Sequence, residues 1–537
     1  MRRAAGQGAL ILSDRRPEED IAATASAPAD GPAPALPSDG PSLVEKTATG
    51  MGWVVGWRAM TRLMGLVSSL ILVRLLAPAD FGLVALATTF VLSIDSLSFI
   101  GVEDAVVRER NPDRGAYDTA FTLNALRGLA TALLVAALAQ PVAAFFEEPR
   151  LANVLYALAV AAFLGGFENV GVLQFRRDLA FHKEFQMQML PRLVSIIATL
   201  TTAAIFRSYW ALVVGIMTNR ILRNLMTYTM HPHRPRLTIQ RWREMTGFSL
   251  GTWAVSLALL LRDRTDNFVL GRLLGTAAVG IYSLGAEIGM MPVLELAMPL
   301  CRAIYSSFSV IRNDGGRVDA IYVRFAASTQ FLVMPACIGL ALVADPLVRL
   351  AFGPQWLAAI PLIVLTGVTG PSVVFGLLSR TLLEAYGHLT ASFWVVMTFW
   401  VLRVPAMVWA TSEHGLIGGV IASVIVLAGE QIVGTVVTCR RFGIGARALF
   451  VRMWRIVLAS LVMAAVVWTS GLARSSSGWH LSPTMALVNA AILGALVYTC
   501  VVLLLWGVCG RPQGAESDML EVLRRMVRRF IRWPRIA

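Results

Sequence analysis

From Gly50 onward the chain is a succession of apolar runs separated by short polar breaks. Each run approaches the roughly 20 residues a helix needs to cross a bilayer. The runs lie near residues 50–75, 81–101, 118–141, 151–173, 185–206, 209–229, 247–271, 277–301, 323–345, 357–379, 389–410, 415–438, 452–471 and 484–508. The pattern predicts an all-α membrane protein with about fourteen transmembrane helices. The first and seventh runs are the least regular, because both carry charges inside.

The flanks differ from this body. Residues 1–46 hold a stretch from Asp20 to Pro41 rich in Ala, Pro, Asp and Gly, which cannot build a core. The early apolar run Ala9–Leu12 is too short for a secretory signal and leads into Asp14, Arg15 and Arg16. At the other end, Met519, Leu523, Met526 and Phe530 fall on one helical face, opposite Arg524, Arg525, Arg528, Arg529 and Arg532. Residues 511–537 therefore read as a basic amphipathic tail lying in an anionic cytoplasmic leaflet, or else as a solvated helix.

Composition agrees with the pattern: 56% of the 537 residues are hydrophobic and only 15% charged, against roughly a quarter in soluble domains. The net charge of +14 would fit a nucleic-acid partner, but its placement argues for topology instead. Arg108, Arg110 and Arg114, then Arg176, Arg177 and Lys183, then Arg234, Arg236, Arg241 and Arg243, then Arg312 and Arg317, then Arg440, Arg441 and Arg447 occupy alternate loops. The intervening loops hold little beyond Arg150, Arg207, Arg349 and Arg474. The positive-inside rule places the basic loops and both termini in the cytoplasm of a multi-pass inner-membrane protein. Cys301, Cys337, Cys439, Cys500 and Cys509 form no metal-binding spacing, the six histidines are scattered, and no Gly-rich phosphate loop is present. No cofactor, metal or ATPase engine is expected.

The sequence repeats internally. Arg74-Leu75-Leu76-Ala77-Pro78-Ala79-Asp80-Phe81-Gly82, between the first and second runs, matches Arg272-Leu273-Leu274-Gly275-Thr276-Ala277-Ala278-Val279-Gly280, between the seventh and eighth. Phe146 through Ala152 likewise echoes Phe352 through Ala358. Two pseudo-symmetric six-helix lobes follow, at 47–230 and 247–440, joined by a cytoplasmic linker at 231–246 and followed by two further helices at 441–510.

The first repeat segment, from Leu72 through Leu83, resembles the first-to-second-helix signature of the polysaccharide transporter family, within the multidrug/oligosaccharidyl-lipid/polysaccharide exporter superfamily. Val172-Leu173-Gln174-Phe175-Arg176-Arg177-Asp178-Leu179 and Asp266-Asn267-Phe268-Val269-Leu270-Gly271-Arg272 resemble later motifs of that family in the same order. The resemblance spans about residues 45–510. It implies a flippase for undecaprenyl-diphosphate-linked oligosaccharide repeat units, serving exopolysaccharide, capsule or O-antigen synthesis. It further implies a V-shaped pair of lobes working by alternating access around a cavity lined by the first, second, seventh and eighth spans. Membrane lipids are partners on this reading, and a polysaccharide polymerase and its chain-length machinery are further ones.

Charges at mid-span depth cost on the order of 2.5–3.5 kcal/mol each on insertion scales. The chain carries many of them. Arg58 and Arg62 share a face of the first span, and Arg264 lies in the span the repeat makes equivalent. With Asp263, Asp266, Asp95 and Glu287 they form the candidate substrate site, Asp263 and Asp266 holding Arg264 until an anionic diphosphate arrives. Arginine suits that ligand through its planar fork of donors. Structural readings stand beside this one. Arg74 and Arg272 end their spans and read as snorkelling. Arg262 and Asp266, four apart, read as a pair. Arg127, Arg220 and Glu430 read as interlobe or loop anchors.

Three other functions fit less well. A membrane polymerase or ligase needs a folded outward domain, yet the longest outward loop, near Gly471–Pro483, is short. An ion-coupled small-molecule antiporter would favour a compact acidic site. A peptidoglycan-precursor flippase shares the expected fold, and only the motifs at Arg74 and Gln174 speak against it.

Overall fold

A computed structural model describes residues 67–97, 112–178, 180–245, 250–301, 318–472, 482–512 and 514–521, with 60, 61, 64, 65, 106, 304, 305, 308 and 524 in addition. Arg58 and Arg62 lie outside the described residues, as do most of the N-terminal tail and most of the amphipathic C-terminal face. Among the described residues the ordered elements are helices, without strands.

We label the helices in chain order. The described end of the first apolar run is α1 (67–75). Then come α2 Pro78–Leu97, α3 Arg114–Phe145, α4 Arg150–Gly166, α5 Phe181–Phe206 and α6 Trp210–Met230. One continuous stretch, Leu250–Gly289, is broken by non-helical backbone at Gly275 (φ 80°, ψ −176°) into α7 (250–274) and α8 (276–289). After α9 Val318–Leu342 and α10 Ile360–Ala385, the stretch Leu389–Arg441 is broken in the same way at Gly415 into α11 (389–414) and α12 (416–441). Both breaks need a positive φ that only glycine adopts without strain. The chain ends in α13 Ala446–Thr469 and α14 Pro483–Val508.

Nine helices among the described residues are long and apolar enough to cross a membrane by length and composition. They include both broken stretches, each counted once, and leave out α1, the shorter α4, and α6 with its internal arginines. The surface is that of a lipid-solvated body. Leu133, Leu134, Trp394, Ile425, Leu496 and Leu504 are exposed on helix flanks, where hydrocarbon rather than water is the compatible solvent. Helix α14 is the extreme case, with only 17% of its most apolar window buried.

Helices α2 through α6 pack on one another, and α7 through α12 form a second packed set. The two sets meet where α2 lies against the α7–α8 pair. Two apolar cores cross that junction: one joins Leu83 and Leu86 of α2, Val135 of α3 and Leu155 of α4 to Leu270, Val279 and Met407, and the other joins Val73 and Phe81 to Leu284, Phe352, Trp356 and Ile363. Helices α13 and α14 pack together and lean on α9.

The segment after α14 is less independent than its composition predicts. Residues 514–521 return to the second set of helices. Glu516 and Arg455, 2% and 4% exposed, form a bidentate pair led by a 2.8 Å bond. Arg324 clasps Asp518 through two 2.7 Å bonds. The start of the tail is thus held by buried and bidentate ion pairs to α13 and α9. Those acidic anchors disappear in a reading that looks only at the arginines.

Candidate functional site

The charges of α7 are distributed by helical geometry. Arg262 and Asp266 point toward α11 and α12, which supply their counter-charges, while Asp263 is exposed beside Arg262. Arg262 donates to Asp263 at 2.8 Å and to Glu430 of α12 at 2.7 Å. Asp266, 2% exposed, accepts from Arg403 of α11 at 2.6 Å, from Ser423 of α12 at 3.0 Å, and from the Tyr282 hydroxyl of α8 in a very short contact. Trp400 adds a bond to Thr265. Four helices are cross-braced through one carboxylate in a setting where an unpaired charge would be very costly.

This corrects two expectations. Arg262 does not pair with Asp266; each takes a partner from another helix. Asp263 and Asp266 do not hold Arg264, because Arg262 and Arg403 occupy them. Arg264 is half-buried, and its Nε is enclosed with no hydrogen-bond partner among the described residues. Arg403 and Ser423 were invisible as partners in the sequence, being 137 and 157 residues from Asp266. The signal available was that a buried acid in an apolar span demands a base.

The other candidates lie apart. Asp95 sits near the end of α2, 3.7 Å from Arg127 of α3. Glu287 is exposed on α8. The charges read as interlobe or loop anchors act within one set of helices: Arg127 on Asp95, Arg220 on Glu168 at 3.3 Å, and Glu430 on Arg262.

The junction between the two sets is built from the sequence repeat. Gly82 and Gly280, equivalent in the repeat, face each other across it. A Cβ on Gly82 would lie 1.7 Å from the Thr276 carbonyl oxygen, and one on Gly280 would lie 2.0 Å from the Pro78 carbonyl oxygen. Pro78 and Thr276 are themselves repeat equivalents, so the contact is two-fold symmetric in kind. The glycines let the first turns of α2 and α8 touch backbone to backbone.

Around this contact each half reaches into the other. Arg74, at the end of α1, donates to the carbonyls of Leu350 and Ala351. The neighbouring Val73 carbonyl accepts from Trp356 at 2.8 Å and Gln355 at 3.1 Å. On the opposite side Arg272 pairs with Glu147 at 2.7 Å and lies 5.5 Å over the Phe145 ring, while Phe146 stacks on Phe268. Arg74 and Arg272 therefore clasp the opposite half rather than snorkelling into headgroups. The second repeat segment aligns Glu147 with Gly353, and both positions have a left-handed backbone, at φ 54° and 97°. A glutamate there is strained where glycine is not. The side chain so placed is the one that meets Arg272. Asn267 adds a deeper bond across the junction, to Thr89 at 2.9 Å.

The linker after α6 is strapped to the first set of helices. Asp118, buried on α3, accepts from the Arg236 backbone at 3.0 Å and lies 3.1 Å from His233. Asn169 donates to the His233 carbonyl and Thr122 accepts from the Thr238 backbone. Burial holds the His231 imidazole below its ordinary value, and the neighbouring His233 adds to the shift. Among the described residues no three His, Cys, Asp or Glu side chains are grouped to hold a metal ion.

Known proteins place this architecture. The succinoglycan biosynthesis transport protein ExoT of Rhizobium meliloti is 24% identical over 86% of this chain and 94% of its own length. The lipopolysaccharide biosynthesis protein WzxC of Escherichia coli K12 is 25% identical over 74% of this chain and 81% of its own. Among solved structures, the lipid II flippase MurJ in an inward closed conformation matches with a TM-score of 0.66 at 14% identity, over 86% of this chain and 99% of that one. An inward-facing multidrug-resistance MATE transporter of the MOP superfamily matches at 0.56 and 16% identity, over 71% and 94%. At such identities the structures establish the fold, that of the MOP transporters. The family model described as polysaccharide biosynthesis protein matches residues 71–361, more than half of the chain and both halves of the clasp, and the chain belongs to that family.

Proposed function

We propose that the protein is a flippase that moves undecaprenyl-diphosphate-linked oligosaccharide repeat units from the cytoplasmic to the outer leaflet of the bacterial inner membrane. The observation that carries this reading is the clasp, set beside relatives named for polysaccharide biosynthesis and transport. Two bodies, the second braced internally by buried ion pairs, touch through a glycine contact at one end. That construction suits rocking about a central path. With both termini cytoplasmic, the clasp lies on the outer side.

On this reading the crossings number fourteen, because each broken stretch counts twice and α1, α4 and α6 also cross. Reporter fusions at Arg236 and Arg441 should report cytoplasm, and fusions at Glu413 and Ser476 periplasm. Arg58, Arg62 and Arg264 contact the diphosphate, Arg264 being suited by its lack of a carboxylate partner among the described residues. Membrane lipids surround the protein, and the polymerase with its chain-length machinery receives the product. The test is a deletion strain examined for accumulated lipid-linked repeat units in the inner leaflet. Accumulation reversed by the wild-type chain supports flipping. Normal distribution of those units overturns it.

A further inference from the structure

The linker after α6 is a strap with two faces. From His231 to Ile239 the chain is neither helix nor strand, and Pro232 and Pro235 favour extended backbone there. Its inner face ties it to α3. The Arg236 and Thr238 amides donate to Asp118 at 3.0 Å and to Thr122 at 2.9 Å, and Arg241 holds Asp113, the N-cap of α3, at 2.7 Å.

These contacts set the depth of the strap. Helix α3 is a candidate membrane span of 32 residues, about 48 Å long against a hydrocarbon core of about 30 Å. Centred in the bilayer, it enters hydrocarbon about 9 Å from its first residue. Thr122 lies about 12 Å along the helix from Arg114. The strap is therefore pinned at the level where headgroups give way to acyl chains.

Its outer face is amphipathic. Leu237 and Ile239 are 76% and 56% exposed, and Trp242 is exposed beyond them. Arg236 and Arg243 are exposed among these apolar groups. The Arg236 side chain has no hydrogen bond or ion pair among the described residues, and Arg243 lies 5.6 Å over the Trp242 ring. Water is a poor solvent for the leucine and isoleucine, and hydrocarbon is a worse one for the arginines. The boundary layer suits both, and it is where tryptophan concentrates. The backbone fits that layer too. Pro232 and Pro235 lack an amide hydrogen, and the amides of His233, Arg236 and Thr238 bond to side chains, so the strap asks little of water for its donors.

We infer that the strap is an interfacial anchor docked on the anionic cytoplasmic leaflet, with Leu237, Ile239 and Trp242 entering the boundary and Arg236 and Arg243 meeting lipid phosphates. The occupant is the headgroup layer of the membrane, because the apolar groups stand at its depth and the cations beside them match its charge. Since the strap is bonded to α3 and precedes α7 in the chain, the anchor holds the joint between the two halves at the bilayer surface. The inference rests on the cytoplasmic placement of the linker, which the fusion at Arg236 tests separately, and not on the transported substrate.

The test uses the full-length protein with its cysteines replaced and a nitroxide attached through Leu237→Cys or Ile239→Cys. The protein is placed in nanodiscs of phosphatidylcholine, with or without phosphatidylglycerol. Power saturation compares access of oxygen, which concentrates in hydrocarbon, with access of a nickel chelate, which stays in water. A label through Leu504→Cys, on the exposed flank of α14, gives the hydrocarbon reference. In anionic nanodiscs the two strap labels should favour oxygen, though less than the reference does. Each basic residue near an anionic surface changes binding about fivefold. Arg236→Gln with Arg243→Gln should therefore lower the inserted-to-free ratio about 25-fold, read from the two components of the nitroxide spectrum. The same pair should change nothing in neutral nanodiscs, and high salt should act as the pair does. Labels open to the chelate in both lipids place the strap in water, and labels closed to both reagents place it under protein; either result overturns the anchor. A preference for oxygen that ignores lipid charge and both arginines overturns the phosphate contact. None of these results alters the accumulation of lipid-linked units in the deletion strain, which judges the flippase reading.

Discussion

Replacing Gly82 by alanine tests the clasp most directly. In the structure the new Cβ would sit 1.7 Å from the Thr276 carbonyl oxygen and 2.7 Å from the Gly280 nitrogen. Both are backbone atoms and cannot rotate away. Real Cβ atoms keep at least 3.0 Å, so α8 has to retreat by more than an ångström. Crowding of this kind in a packed interior costs about 1–3 kcal/mol. The cost falls only on the clasped form, because parting the two halves removes the contact. A differential penalty of that size shifts the ratio of clasped to parted forms by about 5–150-fold. It stays short of the roughly 10⁴-fold needed to invert a 1:99 equilibrium. The readout is a cysteine at Thr89, 2% exposed behind the clasp, in a cysteine-free background. A membrane-impermeant maleimide added from outside should label it faster in Gly82→Ala. Gly280→Ala should act alike, because its Cβ would meet the repeat-equivalent Pro78 carbonyl at 2.0 Å. Gly339→Ala, whose Cβ meets nothing within 4 Å, should label as wild type does. A response confined to one of the two clasp glycines refutes the two-fold reasoning, and no response in either refutes the clasp.

Other consequences can be checked on the purified protein or in membranes. Arg403→Met leaves the Asp266 carboxylate buried without its cation, so stability should fall by about 3–5 kcal/mol. The double variant with Asp266→Asn should recover most of this, as read by melting in detergent, and a double variant as unstable as the single one would contradict the pairing. Glu516→Gln should loosen the segment after α14, exposing its backbone to hydrogen exchange while α13 stays protected; unchanged exchange would show that the Arg455 pair does not hold it. His231 is kept neutral by burial, so the linker gains stability from it above the ordinary imidazole value near 6.5 and loses it as pH falls below that value. Exchange across 231–238, corrected for its intrinsic pH dependence, should therefore accelerate between pH 7.5 and 5.5, and His231→Gln should flatten the difference.

Much of the fold was legible because lipid enforces a simple code. Each crossing has to close its own backbone hydrogen bonds and show apolar flanks, and most of the runs read from the sequence fall on described helices to within a few residues. The repeat at Arg74 and Arg272 was equally visible, but its meaning was not. A span-ending arginine looks the same whether it reaches a headgroup or a carbonyl 277 residues away. The same limit hid Arg403 behind Asp266 and Asp118 behind the linker. Sequence shows which charges need partners, while only the packing of α7 against α11 and α12 decides which partner each receives.

The two kinds of contact in this molecule divide the labour of movement. In the second half the central charges are buried and paired, as in Arg262 with Glu430 and Arg403 with Asp266. Breaking such a pair strands a charge in a medium that cannot solvate it, so that half resists internal rearrangement. Between the halves the polar contacts are of another type. Arg272 and Glu147 are 43% and 73% exposed, and such a pair contributes about 0–1 kcal/mol and is readily replaced by water. Arg74 holds two carbonyls at the end of a helix, which water can also satisfy. The glycine contact requires close approach but supplies no side chain to bind with. Apolar cores at the junction, which include Phe146 with Phe268 and Val73 with Trp356, oppose separation. Two bodies joined by solvent-replaceable polar contacts at one end will part there before the braced one deforms. A charge reversal at Glu147 paired with one at Arg272 should therefore leave the clasp working, whereas either reversal alone should raise Thr89 labelling as the alanine at Gly82 does.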